Sequence, residues 1–402
     1  MSQYFTAKQA AAELGITLPT LYAYVSRGLI RSEETAGKSR ARRYPAADIA
    51  RLKSRQELRQ NPAKALEAAL HFGTPLLESA ITLIENGRLY YRAHDALQLA
   101  HTHSFEAVAA LIWTGRLEDD DLFATNSDRQ NLNFIQALAP NLVNLTPIEW
   151  FQVVLPLAAA SDLGAFDLTA VPQTGARILT LLTSVATNHP VTNHGIAATL
   201  RQAWAAPMPE ATALLNSALI LCADHELNVS AFTARCVASA GATPYGAVIA
   251  GLAALQGSKH GGQTERVEAM FREAEQARQV RSTIASRLRR GEGIPGFGHK
   301  LYPGGDPRGE MLMADITAVC PHKSMLAQTI ASEVQEATGQ APTIDFALVT
   351  LAHVLELPPG AAIALFALGR TVGWIGHAIE QYSLDQLIRP RARYIGPPPG
   401  PA

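Results

Sequence analysis

A chain of 402 residues is long enough for two or three domains, or for one large domain with a small appendage. A hydrophobic fraction of 48% against 17% charged residues excludes wholesale disorder, and abundant Ala with few aromatics favours helices over sheets. The net charge of −1 hides an asymmetry, because residues 1–61 hold 11 Lys and Arg against 5 Asp and Glu, and a basic head on a mildly acidic body suggests an anionic partner for the head.

The polar start Met1-Ser2-Gln3-Tyr4 is not a signal peptide. Thr6-Ala-Lys-Gln9 has capping-box spacing, so a helix is expected from there through Leu14, closed by Gly15. Thr17 then caps a second helix, Leu18 to Val25, with Pro19 in its first turn and Gly28 beyond its end. Two short helices joined by a tight turn form a helix-turn-helix, whose second helix fits a DNA major groove. The run Lys38-Ser-Arg40-Ala-Arg42-Arg43-Tyr44 reads as a basic wing able to neutralise flanking phosphates. Candidate DNA contacts are therefore Thr17, Thr20, Tyr22, Arg27, Lys38, Arg40, Arg42 and Arg43; the competing reading is a helical protein-interaction module. The order TAKQAAAELGITLPTLYAYVSRGLI, a basic wing, then YPAADIARLK resembles the MerR/excisionase-like winged helix-turn-helix over residues 1–60.

Asn61-Pro62 marks the expected boundary, followed by a helix over Ala63 to Leu70. Ile81/Leu83 alternation before Asn86-Gly87, with Leu89-Tyr90-Tyr91 after it, predicts a two-stranded hairpin. Beyond it the pattern is helix after helix, without internal repeats, to a proline-rich tail at 396–402. Cys222, Cys236 and Cys320 are odd in number and widely spaced, which predicts a reducing, cytoplasmic compartment rather than a disulfide framework or zinc site. The apolar run Ala361 to Leu368, stopped by Arg370, is too short to cross a bilayer.

Four clusters in the body carry chemistry. His225 and Asn228 are three apart, expected on one helix face; alone, His225 reads equally as a satisfied core histidine. Gly257-Ser-Lys-His260-Gly-Gly262 follows an apolar helix, Pro244 to Leu255; a helix starting near His260 would hold its imidazole neutral through the positive dipole end. Pro295-Gly-Phe-Gly-His299-Lys300 through Asp306-Pro-Arg308 is a fixed Gly/Pro loop whose His299, Lys300 and Arg308 suit a dianionic acid or a phosphorylated cofactor. Asp345 enters an apolar stretch, where burial raises a carboxyl toward general-base duty, although the residue alone reads better as an N-cap. Arg370 and Arg389, taken singly, read as surface salt-bridge residues.

The ordered set GRLYYRAHD…SFEAVAALIWTG (87–115), DHELNVSAFTAR (224–235), KHGG (259–262), PGFGHKLYPGGDPR (295–308), IDF (344–346), GRTVGWIGHAIEQ (369–381) and IRPRARY (388–394) resembles the citrate synthase family. The resemblance implies a mainly all-α fold: a helical body over 61–395, with a smaller domain near 225–340 inserted in a larger one. It implies condensation of acetyl-CoA, oxaloacetate and water to citrate and CoA, without a permanently bound cofactor or metal. Asp345 would be the base, His260 the donor to the thioester carbonyl and His299 the polariser of the ketone. His225, Arg308 and Arg370 would hold carboxylates, joined by Arg389 from the second subunit of a homodimer. Pro295, Gly296, Phe297, Gly298 and Lys300 would form the CoA loop. Lys259 stands where the family usually has an apolar residue, and Thr343 replaces its usual Asn. Propionyl-CoA, giving 2-methylcitrate, is a close variant, since one methylene decides little free energy. A different class of function is a metabolite-sensing DNA-binding regulator built on the same body.

Overall fold

In the computed structural model, residues 4–27, 29–34, 42–46, 48, 49, 52, 77–117, 122, 123, 137, 145–277 and 279–399 are described. The chain divides into two compact units, Met1–Glu78 and Ser79–Ala402. The expected boundary at Asn61-Pro62 and the helix over Ala63 to Leu70 lie outside the described residues, as does Gly28.

The first unit orders β1 (Tyr4–Thr6), α1 (Ala7–Leu14), α2 (Leu18–Ser26), β2 (Glu33–Glu34) and β3 (Arg42–Pro45). The strands form one antiparallel sheet in the order β1-β3-β2. The capping box is complete: the Gln9 N–H donates to Thr6 Oγ1 while Gln9 Oε1 accepts from the Thr6 N–H. Gly15 closes α1 in the left-handed region at φ 63°, and the Thr17 hydroxyl caps α2 through the Thr20 N–H. Ala10, Leu14, Leu21, Ile30, Tyr44 and Ile49 close a small core of their own. This is a winged helix-turn-helix.

The second unit opens with a three-stranded antiparallel sheet, β4 (Thr82–Glu85), β5 (Arg88–Tyr91) and β6 (His94–Asp95). Asn86 and Gly87 both take positive φ (53° and 74°), as a two-residue hairpin turn between right-twisted strands requires. The two-residue β6 was not anticipated; it is too short to leave an alternation. Helices follow: α3 (Ala96–Thr102), α4 (Phe105–Thr114), α5 (Pro147–Ser161), α6 (Val171–Thr187), α7 (Ile196–Trp204), α8 (Ala211–Cys222), α9 (Val229–Ser239), α10 (Pro244–Leu255), α11 (Gly262–Ala277), α12 (Val280–Arg289), α13 (Pro307–Val319), α14 (Met325–Thr338), α15 (Ile344–Val354) and α16 (Ala361–Leu384).

The expectation that Arg370 stops the late apolar run is wrong. Helix α16, 24 residues in all, runs through it to Leu384; it is long and apolar enough by composition to cross a membrane, yet 94% of its most apolar window is buried inside the fold. It is the core helix around which α8, α9, α10, α6, α15 and α4 pack. Gly369, Gly373 and Gly376 let it come close to its neighbours. A Cβ at Gly369 would sit 2.6 Å from the Leu219 carbonyl, one at Gly376 2.7 Å from Ile112, and one at Gly373 would strike Asp224. Small residues at this spacing bring backbones within reach, so Arg370, between two of them, lies against the end of α8.

Gly251 of α10 faces the Trp374 indole, 2.6 Å from Cε2 to an added Cβ. Gly251→Ala is expected to destabilise the full chain by on the order of 2–3 kcal/mol in urea unfolding, because a rigid ring on a packed helix cannot yield. Gly293→Ala, with nothing within 4 Å of the added methyl, is the control expected to change nothing.

Candidate active site

The His299 loop and the start of α15 are stitched together along their backbones. The Thr343 N–H donates to Gly296 O (2.8 Å), the Gly298 N–H donates to Ala341 O (3.0 Å), and Phe297 bridges Pro342 between them. Gly296 must be glycine twice over: its φ is 80°, and a Cβ there would lie 2.7 Å from Val267. Phe297 packs on Phe346 with ring centroids 4.7 Å apart, which anchors the loop to the buried face of α15. This seam carries His299 and Asp345 on one piece. The N-cap of α15 is Thr343, not Asp345, so the capping reading of Asp345 fails; the Thr343 hydroxyl lies 3.5 Å from its carboxylate.

Two arginines are buried beneath. Arg308 makes a bidentate pair with Asp306, Nε to Oδ1 at 2.9 Å and Nη2 to Oδ2 at 2.8 Å. Asp306 is itself the N-cap of α13 and accepts the Ile344 N–H at 3.1 Å, tying this pair to the residue before Asp345. Arg308 is therefore not a wholly open carboxylate clamp: one edge of its guanidinium is committed to Asp306. Arg370 donates from Nε to Cys222 O (2.8 Å) and lies 5.0 Å from the Phe366 ring. At 1% exposure it is no surface salt-bridge residue.

His225 and Asn228 do not share a helix face. Both lie in the turn between α8 and α9, where Glu226 takes φ 52°, and Asn228 is the N-cap of α9 through the Ser230 and Ala231 amides. The His225 ring meets His299 edge-on at 5.2 Å, and its Nε2 is 3.1 Å from the Tyr302 hydroxyl. His260 stands in the turn between α10 and α11, with Nε2 2.8 Å from Ser230 Oγ and its ring 6.0 Å from Phe366. Phe366 thus touches both His260 and Arg370. The Trp374 indole N–H donates to the same Ser230 oxygen at 3.1 Å. The Ser230 hydroxyl has one proton and two acceptors at 2.8 Å, Asn228 Oδ1 and His260 Nε2. Directed at Nε2, it leaves the imidazole proton on Nδ1. Leu301 N–H donates to His299 Nδ1 at 3.2 Å, which puts the proton of a neutral His299 on Nε2.

Electrostatics fix these states. Burial, then the Arg308 and Arg370 charges, holds His225 well below the ordinary histidine value. Burial and Arg370 lower His260 to about 4, and burial and Arg308 lower His299. Helix α11 does begin two residues after His260. The large causes of its neutrality, however, are burial and an arginine rather than a helix dipole. Burial pushes Asp345 up to about 6 against the opposing pull of Arg308.

Of the expected CoA loop, Pro295, Gly296 and Phe297 are buried, and Gly298 and Lys300 are exposed. Arg389 is exposed on the C-terminal segment and shares no hydrogen bond or ion pair with this cluster among the described residues. Ser230, Tyr302, Asp306 and Trp374 were missed. Asp306-Pro307 is a legible N-cap signature, and Asn228-x-Ser230 another; Trp374 and Tyr302 leave no local signal. In the first unit, Tyr22 is 53% exposed on α2 and Arg27 is exposed at its end. Thr17 is occupied as a cap, its hydroxyl 2.8 Å from that of Thr20. Arg42 is exposed beside Ser32, whereas Arg43 pairs with Glu33 at 3.0 Å and stacks on Tyr4, so it is no free wing cation. Lys38 and Arg40 lie outside the described residues.

The family model described as citrate synthase, C-terminal domain, matches residues 69–391, and that described as MerR HTH family regulatory protein matches residues 5–63. Citrate synthase 2 of Bacillus subtilis is 29% identical over 81% of this chain and 95% of its own length. The 2-methylcitrate synthase of Mycobacterium tuberculosis is 28% identical over 78% of this chain and 86% of its own length. The crystal structure of citrate synthase from Thermotoga maritima superimposes with a TM-score of 0.68 at 26% identity, covering 81% of this chain and 94% of that one.

The raised Asp345 predicts a pH-dependent stability difference. A carboxyl whose folded value lies above its unfolded one favours the fold at low pH and loses that contribution as pH climbs from about 4 to about 6. Asp345→Asn is thus expected to match the parent chain at pH 4 and exceed it above pH 6. With its partial exposure allowed for, the gap is on the order of 1–2 kcal/mol. Melting curves across pH 4–8 check this; a gap that stays constant contradicts it.

Proposed function

The chain belongs to the citrate synthase family, an enzyme of that acyltransferase type, and on this premise we propose that it condenses acetyl-CoA with oxaloacetate and water to give citrate and CoA. The observation that carries the reading is the pairing of a carboxyl raised to about 6 with three histidines kept neutral by burial first and by the nearby Arg308 and Arg370 charges second. Asp345 takes the acyl α-proton. His260, with Ser230 donating to Nε2, gives its Nδ1 proton as a hydrogen bond to the thioester carbonyl while the enolate forms. The carbanion attacks the ketone, which His299 polarises and protonates from Nε2. Water then cleaves the thioester of the condensed product and releases CoA as thiol. His225, the open edge of Arg308, Arg370 and Arg389 of a second copy hold the carboxylates of oxaloacetate, which makes the working unit a homodimer. The loop Pro295–Gly298 with Lys300 receives CoA, and the segment near 225–340 acts as the smaller domain. No permanently bound cofactor enters these steps.

Propionyl-CoA is the alternative acyl donor, favoured by the likeness to the mycobacterial 2-methylcitrate synthase. The regulatory reading rests on the first unit: Tyr22 and Arg27 on the exposed side of α2, with Arg42 on the wing, face outward as DNA contacts would. Regulation and catalysis are compatible in one chain.

Thiol release from acetyl- or propionyl-CoA, dependent on oxaloacetate, is expected from the full chain and not from Asp345→Asn. With Asp345 as base, release falls as pH drops through about 6. Equal release by the Asn variant sinks the assignment of the base. For DNA, the double substitution Arg27→Ala with Arg42→Ala in the full chain is expected to shrink the salt slope of duplex binding by about two, one per lost phosphate contact. An unchanged slope removes those two residues from the interface.

A further inference from the structure

Immediately behind His225 lies a buried polar group that no step above uses. Asp224 and His377 are both wholly buried, with Asp224 Oδ1 3.3 Å from His377 Nε2. Neither ring nitrogen of His377 nor Asp224 Oδ1 has a hydrogen bond of good geometry. The other carboxylate oxygen accepts from the Thr82 hydroxyl at 2.6 Å. The peptide of Asp224 is gripped as well: its N–H donates to the Tyr91 hydroxyl (3.3 Å), and that hydroxyl reaches the Asp224 and Ile220 carbonyls at 3.1 and 3.0 Å. Gly373 of α16 lies so close that a Cβ there would strike the same carboxylate. On the far side of His377, Nδ1 is 3.9 Å from Glu380 Oε2, and Glu380 accepts from the Ala80 N–H (2.7 Å) and pairs with Arg235.

A buried carboxylate and imidazole are an expensive way to fill space that apolar side chains fill better. Burial alone would push the Asp224 carboxyl up; the His377 neighbour, Arg370 and the Thr82 hydroxyl together hold it below its ordinary value. The next residue in the chain is His225, in a turn that Glu226 completes with positive φ. We propose that Asp224 and His377, with Thr82 and Tyr91, are positioning residues: they clamp the turn from behind and fix the direction in which His225 presents its imidazole to oxaloacetate. The couple acts on the binding of the 2-oxo acid and not on the acyl-CoA, because it touches neither His260 nor Asp345.

The inference rests on the assignment of His225 to oxaloacetate made above, and the test separates the two. Three full-length variants are compared with the parent: His377→Phe, which removes both ring nitrogens; Thr82→Val, which removes the hydroxyl from the hairpin side; and His377→Gln, which keeps a donor near Asp224. For His377→Phe the KM for oxaloacetate is expected to rise about tenfold, and for Thr82→Val severalfold, with the KM for the acyl-CoA and kcat at saturating oxaloacetate held within about twofold. His377→Gln is expected to restore the oxaloacetate KM. Oxaloacetate KM unchanged in both His377→Phe and Thr82→Val overturns the proposal, as does a fall in kcat alone that tracks the melting temperature. If His377→Phe fails to fold, Thr82→Val decides by the same criterion. A parent chain that releases no thiol refutes the catalytic reading instead, and calorimetric titration of oxaloacetate into parent and Thr82→Val then decides the positioning claim: weaker binding in the variant supports it, equal binding overturns it.

Discussion

Two guanidinium groups taken out of water govern the catalytic body. Arg308 and Arg370 are almost fully buried, and Arg308 is in bidentate contact with the Asp306 carboxylate. Arg370 makes do with a main-chain carbonyl and the face of a phenylalanine. Around them burial first, and these charges second, disfavour any further cation. Three imidazoles nearby therefore stay neutral, and a neutral imidazole can donate from one nitrogen while accepting at the other. Asp345 moves the other way, because burial raises its carboxyl more than Arg308 lowers it.

Packing explains how such charges can be held at all. Arg370 sits on α16 between Gly369 and Gly373, where the helix comes so near α8 that the arginine reaches Cys222 O at 2.8 Å. With larger residues at those glycines the helices would part, and the guanidinium would lose the carbonyl that offsets part of its desolvation. Catalytic geometry and core packing are in this sense one problem, solved along a single helix.

Legibility in the sequence followed the range of the interaction. The caps at Thr6, Gly15 and Thr17, the Asn86-Gly87 turn and the rigid run around His299 all depend on residues a few positions apart, and all were readable. Helix α16 was misread at Arg370 because a charge in an apolar run is an end signal unless distant groups, here Cys222 and Phe366, satisfy it. Asn228 was placed on a helix face when it begins the helix, an error of a few residues that leaves His225 in the turn before it. That one edge of Arg308 is committed to Asp306, two residues away, was not read, although the Asp-Pro start of a helix was the clue. Asp224 and His377 are 153 positions apart and pair only through the fold.

The seam between the His299 loop and the start of α15 has a consequence for how this protein can change over time. Its register is held by main-chain amides and carbonyls at Gly296, Gly298, Ala341 and Thr343. Substitution alters side chains and leaves those atoms in place. Drift along the seam can therefore exchange side chains, as at Thr343, while the separation between His299 and Asp345 is inherited unchanged. Only the glycines are barred from drifting, since Gly296 has neither the room nor the backbone angle for anything larger. New side chains along the seam are thus open to such a chain at small cost, and a new spacing between His299 and Asp345 is not.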